Sequence, residues 1–313
     1  MRIFLAGATG AIGRRLVPAL LAAGHEVIGT TRSPQRAEQV RTAGAEPVVV
    51  DPLDRAAVTG AVASARPDVV MHQLTSLTGM VSFKRMDEQF AATNALRTTG
   101  IDILLAAAVA AGARRFIAQS FTGWPNARRG GPVADEDHPL DDDPAPEARA
   151  SLAAIRHVET VVPEAEEIEG LVLRYGFFYG PGTGFEQGGP ILELLAKRRF
   201  PVVGGGGGVW SFIHIADAVT ATVAAVDRGG PGRYNITDDE PAPVAQWLPY
   251  LAGVLGAEPP RRLPAWLGRP MLGRQGVRMM TDVRGSSNAR AKRELGWSPG
   301  YPSWREGFRA GLG

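Results

Sequence analysis

The chain has 313 residues, 44% of them hydrophobic, and a formal net charge of +2. That length suits one large α/β domain or a nucleotide domain with a smaller companion, and so small a net charge excludes a nucleic-acid footprint. The absence of cysteine excludes disulfides, thiolate nucleophiles and zinc–thiolate sites. No apolar run reaches the roughly 18–20 residues of a membrane span, and the first residues read as a core strand rather than a signal peptide, so a cytoplasmic protein is expected.

Residues 1–13 read MRIFLAGATGAIG. The apolar run 3–6 predicts a strand, and Gly7, Gly10 and Gly13 predict a tight turn. Ile12, Leu16, Val17, Leu20 and Leu21 then fall at helical spacing. A strand, a glycine turn and a helix start, in that order, build an anion site. The glycines let the backbone approach a pyrophosphate, and the first-turn N–H groups and helix dipole hold its charge.

Strand two is expected over 26–30. Ser33 and Pro34 predict a helix to about 43, with the serine as N-cap and the proline at the first helical position. Strand three covers 47–50, Asp54 caps a helix to about 65, and strand four covers 68–72. A long helical region spans 84–111 and strand five 115–119. This alternation implies a parallel sheet covered on both faces, in the order 3-2-1-4-5-6, with ligand at the carboxyl edge.

Residues 124–146 break the rhythm. Their Pro, Gly and acid content (Asp135, Glu136, Asp137, Asp141, Asp142, Asp143) predicts a solvated loop, with a lid over the site as the alternative. A helix over 148–162 and strand six over 171–175 follow. Beyond them come a helix over 190–199, a glycine run at 204–208 read as a flexible turn, a short strand at 212–215, a helix over 217–226 and a strand at 233–236. The fold class is α/β: a doubly wound parallel Rossmann sheet with a smaller C-terminal substrate-binding lobe. Residues 1–178, joined by 211–236, form the first part; 179–210 and 237–313 form the second.

The chain resembles the extended short-chain dehydrogenase/reductases, the NAD-dependent epimerase/dehydratase family. The resemblance rests on Gly7, Gly10 and Gly13; Asp51-Pro52-Leu53; residues 68–72; Asn94; Ser120; the stretch 174–182 (RYGFFYGPG); FIHIAD at 212–217; and Leu295-Gly296-Trp297 with Pro299. It implies a nicotinamide dinucleotide held by Gly7, Thr9, Gly10, Ala11, Ile12 and Gly13. The adenine would lie near Asp51, Pro52 and Leu53, and Leu74 and Thr75 would pass beside the ribose. Asn94 and Ser120 belong to the same set of contacts. After strand two the segment TTRSPQR (30–36) has no acid to accept ribose hydroxyls. Arg32, with Ser33 and Arg36 beside it, suits a 2′-phosphate, which favours NADP over NAD.

The chain departs from the family where chemistry is expected. Members resemble one another in a Tyr-x-x-x-Lys pair in the helix before strand six, whose phenol moves a proton while hydride moves at the nicotinamide. Register from Glu159 puts Ser151 and Ile155 at those positions. No tyrosine precedes Tyr175 and no lysine falls between Lys84 and Lys197, so no shift of alignment restores the pair. Ser120, Thr122, Tyr175 and Tyr179 are the candidate replacements. His72, His157 and His214 read more simply as packed or surface histidines, and the five histidines show no metal-ligand spacing.

Phe177 and Trp210 stand where nucleotide-sugar members resemble one another in polar diphosphate contacts. With Phe121, Trp124 and Phe178 they imply an apolar substrate pocket, or else packing between the two lobes. Arg278 and Arg284 are candidates for an anionic group. The expected protein is an NADP-dependent oxidoreductase acting on a small apolar or aromatic carbonyl or hydroxyl compound. An isomerase or dehydratase and a non-catalytic NADP-binding regulator are the alternatives. A homodimer through the helical regions 91–111 and 148–162 is compatible with their apolar faces.

Overall fold

Strand β1 (Arg2–Ala6) sets the layers of the molecule, which is described from a computed structural model over residues 1–76 and 82–313. Ile3 and Leu5 point into one core and Phe4 and Ala6 into another, as a strand's two-residue period requires when both faces are covered. α1 (Gly13–Ala22), β2 (Glu26–Thr31), α2 (Pro34–Thr42), β3 (Glu46–Val49), α3 (Arg55–Ala65) and β4 (Val69–His72) follow. Asp54 caps α3, accepting from Ala57 N at 3.0 Å. Ser33 precedes Pro34 as expected, but its hydroxyl turns to Gln35 and gives α2 no side-chain cap.

The long helical region is divided. α4 (Met86–Ala95) and α5 (Ile101–Ala110) are joined by a widened π-turn at Leu96–Gly100. β5 (Arg115–Phe121), β6 (Val133–Ala134), α6 (Arg149–Val161), β7 (Glu169–Tyr175) and β8 (Phe177–Tyr179) come next. After them lie α7 (Pro190–Ala196), β9 (Val202–Val203), β10 (Val209–Trp210), β11 (Phe212–His214), α8 (Ile215–Ala224) and β12 (Gly232–Ile236). The main sheet runs β3-β2-β1-β4-β5-β7-β12, every neighbouring pair parallel. This is the doubly wound order expected from the sequence, extended by β12 at its edge.

The chain closes with β13 (Ala242–Pro243), α9 (Val244–Val254), β14 (Arg262–Leu263), α10 (Ala265–Thr281), β15 (Gly285–Ser286), α11 (Ala289–Glu294) and α12 (Trp304–Ala310). A third core, built from α7, α9, the end of α10 and α12, gathers Trp210, Phe212, Trp247, Trp304 and Phe308. Met86, Leu152 and Ile155 join it, so the smaller lobe is seated on α4 and α6.

Two expectations about the second half need correction. Residues 289–297 do not belong to the smaller lobe: Ala291, Leu295 and Trp297 pack into the first sheet core. The stretch 124–146 is not simply solvated. Trp124, Asn126, Glu136 and Asp141 are buried, and β6 pairs with β15. Arg128 and Arg278 reach Asp141 and Asp143, tying this segment to α10. Among the described residues no helix is long and apolar enough to cross a membrane.

Candidate active site

At the carboxyl end of β1 the chain turns on Gly7, whose φ of +100° favours glycine. A methyl group on Gly13 would collide with the Gly7 carbonyl, so α1 can start this close to the strand only on glycine. Thr30 Oγ1 accepts from Gly7 N and Gly10 N returns to Gly7 O, which fixes the loop. Gly10 and Ala11 are exposed and Thr9 half-exposed. Among the described residues no carbonyl accepts from Ala11 N or Ile12 N. These groups at a helix start are what a pyrophosphate needs, so the residues fit a dinucleotide.

Beside the loop an apolar cleft is lined by Ala6, Thr30, Val50, Pro52 and Leu74. Its free space is about that of one water molecule, so it marks an apolar surface beside the loop and not a formed base slot. Asp51 sits at its rim, folded back to accept from Leu53 N, with Leu53 exposed. Leu74 is half-buried and Thr75 exposed beside it, and Gln119 Nε2 donates to Leu74 O. Arg32 and Arg36 are exposed and, among the described residues, their side chains form no ion pair or hydrogen bond. Ser33 is half-exposed between them.

The ends of β5 and β7 are built differently. Glu159, on α6, makes a bidentate ion pair with Arg174 in the protein interior. Ser120 donates its hydroxyl hydrogen to Glu159 at 2.8 Å, so it can accept from a ligand but holds no proton to give. Thr122 is buried and shares a 2.6 Å hydrogen bond with Ser286, which also accepts from Asn126. Ser151 is enclosed, its backbone N–H and hydroxyl both donating to Asp87, while Asn94 donates to its oxygen. Ile155 is wholly buried.

The two tyrosines do not meet the site as proton donors. Tyr175 is sealed in the first core, its hydroxyl held between Thr222 Oγ1 at 2.7 Å and Gln73 Nε2 at 3.2 Å. Burial pushes its pKa up to about 12 despite those bonds. Tyr179 is fully buried between the lobes, its hydroxyl without a partner among the described residues and pressed against Gly307 of α12. Burial first, and then the charges of Asp238 and Asp217, push its pKa far up.

The aromatic side chains separate into two groups. Phe121 and Phe177 are half-buried at the sheet edge, set edge to face with centroids 5.0 Å apart. Phe177 stacks on Trp210 at 4.0 Å. Trp210 itself is core, its indole N–H donating to Met279 O, and Trp124 is core as well. Phe178 leans on Tyr175.

One group at this edge escaped the sequence reading. Arg97, in the widened turn, is 4% exposed; its Nε is enclosed without a partner, and the side chain forms no ion pair, among the described residues. The signal was present, because Thr93, Arg97, Ile101 and Leu104 lie at helical spacing on a face that is otherwise uncharged. Burial lowers the Arg97 pKa to about 10, a value at which it remains charged at neutral pH.

Residues 3–237 match the NAD dependent epimerase/dehydratase family. A 3-diazoavenalumate denitrifying reductase from Streptomyces sp is 49% identical, over 98% of this chain and 99% of that protein. The 4-hydroxy-2-methyl-3-oxo-4-farnesyl-3,4-dihydroquinoline-1-oxide ketoreductase of Stigmatella aurantiaca is 29% identical, over 82% of this chain and 74% of that one. Among solved structures, the Thermus thermophilus UDP-glucose 4-epimerase in complex with NAD superposes with a TM-score of 0.74 at 25% identity, covering 100% of this chain and 98% of that one.

Proposed function

The chain belongs to the NAD dependent epimerase/dehydratase family and is an NAD(P)-dependent oxidoreductase, and from that premise we propose that it uses NADPH to replace the diazo group of a small aromatic compound by hydrogen. The observation that carries this reading is the sealed proton side of the site. Ser120, Thr122, Ser151 and Tyr175 have committed their hydroxyls inside the protein, and Tyr179 is buried between the lobes. Reducing a carbonyl takes a hydride at carbon and a proton at oxygen. An aromatic diazonium takes only the hydride. The C–N bond breaks, nitrogen leaves as N2 with that bond's electron pair, and the new C–H bond forms from the hydride pair.

A dinucleotide, when bound, would supply the hydride. Residues 9–13 would hold its pyrophosphate, the apolar surface at Val50 and Leu74 would face its adenine, and Arg32 and Arg36 would take the 2′-phosphate that distinguishes NADPH from NADH. Phe121 and Phe177 offer an aromatic wall to a flat substrate, and Trp210 holds Phe177 in place. The diazo substrate in the name of the relative that is 49% identical supports the substrate class.

Purified protein with NADPH should release one N2 per NADPH consumed from aryl diazo compounds and leave matched aryl ketones untouched. Reduction of the ketones, with the diazo compounds ignored, would replace this reading by carbonyl reduction.

A further inference from the structure

The strand order dictates how a dinucleotide lies on this sheet. With its adenine toward β2 and β3 and its pyrophosphate at β1, a dinucleotide would carry its nicotinamide half toward the ends of β4 and β5. Arg97 lies near those strand ends, within electrostatic reach of His72 and Glu159. The carbonyl of the preceding Leu96 accepts from His72 Nε2, at the end of β4, at 3.1 Å. Glu159 in turn holds the Ser120 hydroxyl at the end of β5.

No carboxylate pairs directly with Arg97 among the described residues. Of the two buried carboxylates nearby, Glu159 gives both its oxygens to Arg174 and Glu136 also acts on Arg174. His72 is neutral, since burial lowers its pKa to about 4. Asp87, on α4, is spent on the start of α6, where it accepts from Ala150 N, Ser151 N and Ser151 Oγ. Three enclosed polar atoms along this wall lack partners among the described residues: His72 Nδ1, Asn94 Oδ1 and Arg97 Nε. A buried cation without an acceptor costs stability, and a well-packed apolar side chain in its place removes that cost.

We propose that Arg97 sets the redox preference of the site: its buried positive charge, with no direct ion pair among the described residues, opposes the cationic oxidised nicotinamide ring and accommodates the neutral reduced one. The inference rests on the dinucleotide reading above and extends it. It makes the oxidised cofactor the weaker ligand and biases the protein toward reduction. Because the charge is enclosed, salt screens it little.

The test is direct binding of NADPH and NADP+ to the substrate-free protein, by calorimetry, alongside thermal unfolding of the ligand-free form. Wild type should bind NADPH more tightly. Arg97→Met should bring the two affinities together by about tenfold and raise the melting temperature of the ligand-free protein. Arg97→Lys, which keeps the charge, should retain the preference. If Arg97→Met does not fold, Arg97→Gln removes the charge, keeps a polar side chain and must show the same loss of preference. An unchanged preference in a folded neutral variant overturns the inference while the cofactor reading stands. Failure of wild type to bind either dinucleotide overturns that reading itself.

Discussion

At β1 the carboxyl edge of the sheet is left open. Gly10 and Ala11 face solvent, Ala11 and Ile12 keep unclaimed N–H groups, and Arg32 and Arg36 stand without acids among the described residues. Two and three strands away, at β5 and β7, the edge is closed. Ser120 is held by Glu159, Thr122 by Ser286, and Tyr175 by Thr222 and Gln73. A binding surface needs groups with unmet hydrogen bonds, and a general acid needs a proton it can release. The first region has what it needs and the second does not. On the proposed reading, such a site holds a hydride donor and leaves proton balance to the substrate.

The largest effect should come from the open region. On the proposed NADPH reading, Arg32→Ala removes a charge-assisted contact to the 2′-phosphate and should weaken NADPH binding by about 10–100-fold, with NADH unaffected, as competition binding would read. Equal loss for both dinucleotides would mean that Arg32 serves the fold and not the phosphate.

In the closed region the same kind of change should leave chemistry alone. Tyr175→Phe should keep turnover and cost about 1–2 kcal/mol in denaturant unfolding, because Gln73 and Thr222 lose a shared partner. A tenfold fall in kcat with stability intact would return Tyr175 to the chemistry and erase the contrast.

The smallest effect sharpens what an unpaired buried group means away from the site. Asp238 lies between the lobes, 1% exposed, with Oδ2 unpaired among the described residues. Burial first, then the charge of Asp239, raises its pKa well above the usual carboxylate range. A raised folded-state pKa gives stability that is complete below the unfolded carboxylate range and is lost as pH rises through the folded value. Asp238→Asn should therefore raise the melting temperature at neutral and alkaline pH, leave it unchanged in acid, and leave NADPH binding as it was. A neutral variant at Arg97 should stabilise and also alter binding, so the pair separates an orphan kept for a ligand from one kept by packing.

The sheet and its glycine loop were legible because they obey short-range rules. Alternating apolar runs, Asp54 as a cap, and glycines at 7, 10 and 13 carry their meaning within a short stretch of chain. The acidic stretch was not legible, because Glu136 is buried by contacts that arrive from far along the chain: Asn235 N donates to it and Arg290 approaches it. α11 reads like any short amphipathic helix until the first core claims Ala291. The absent Tyr/Lys pair was visible. That Ser120, Thr122 and Tyr175 are already bonded was not, since each partner comes from a distant part of the sequence.

The widened turn at Leu96–Gly100 also governs where this helix can change length. A π-turn holds one residue more than an α-turn. Deleting one residue there lets the helix close to regular spacing and leaves α4 and α5 facing as they do. The same deletion within α5 would swing its following side chains by about 100°, taking Leu104, Ala107 and Ala108 off the sheet they now pack against. The segment that carries Arg97 is thus a place where loss of one residue spares the core.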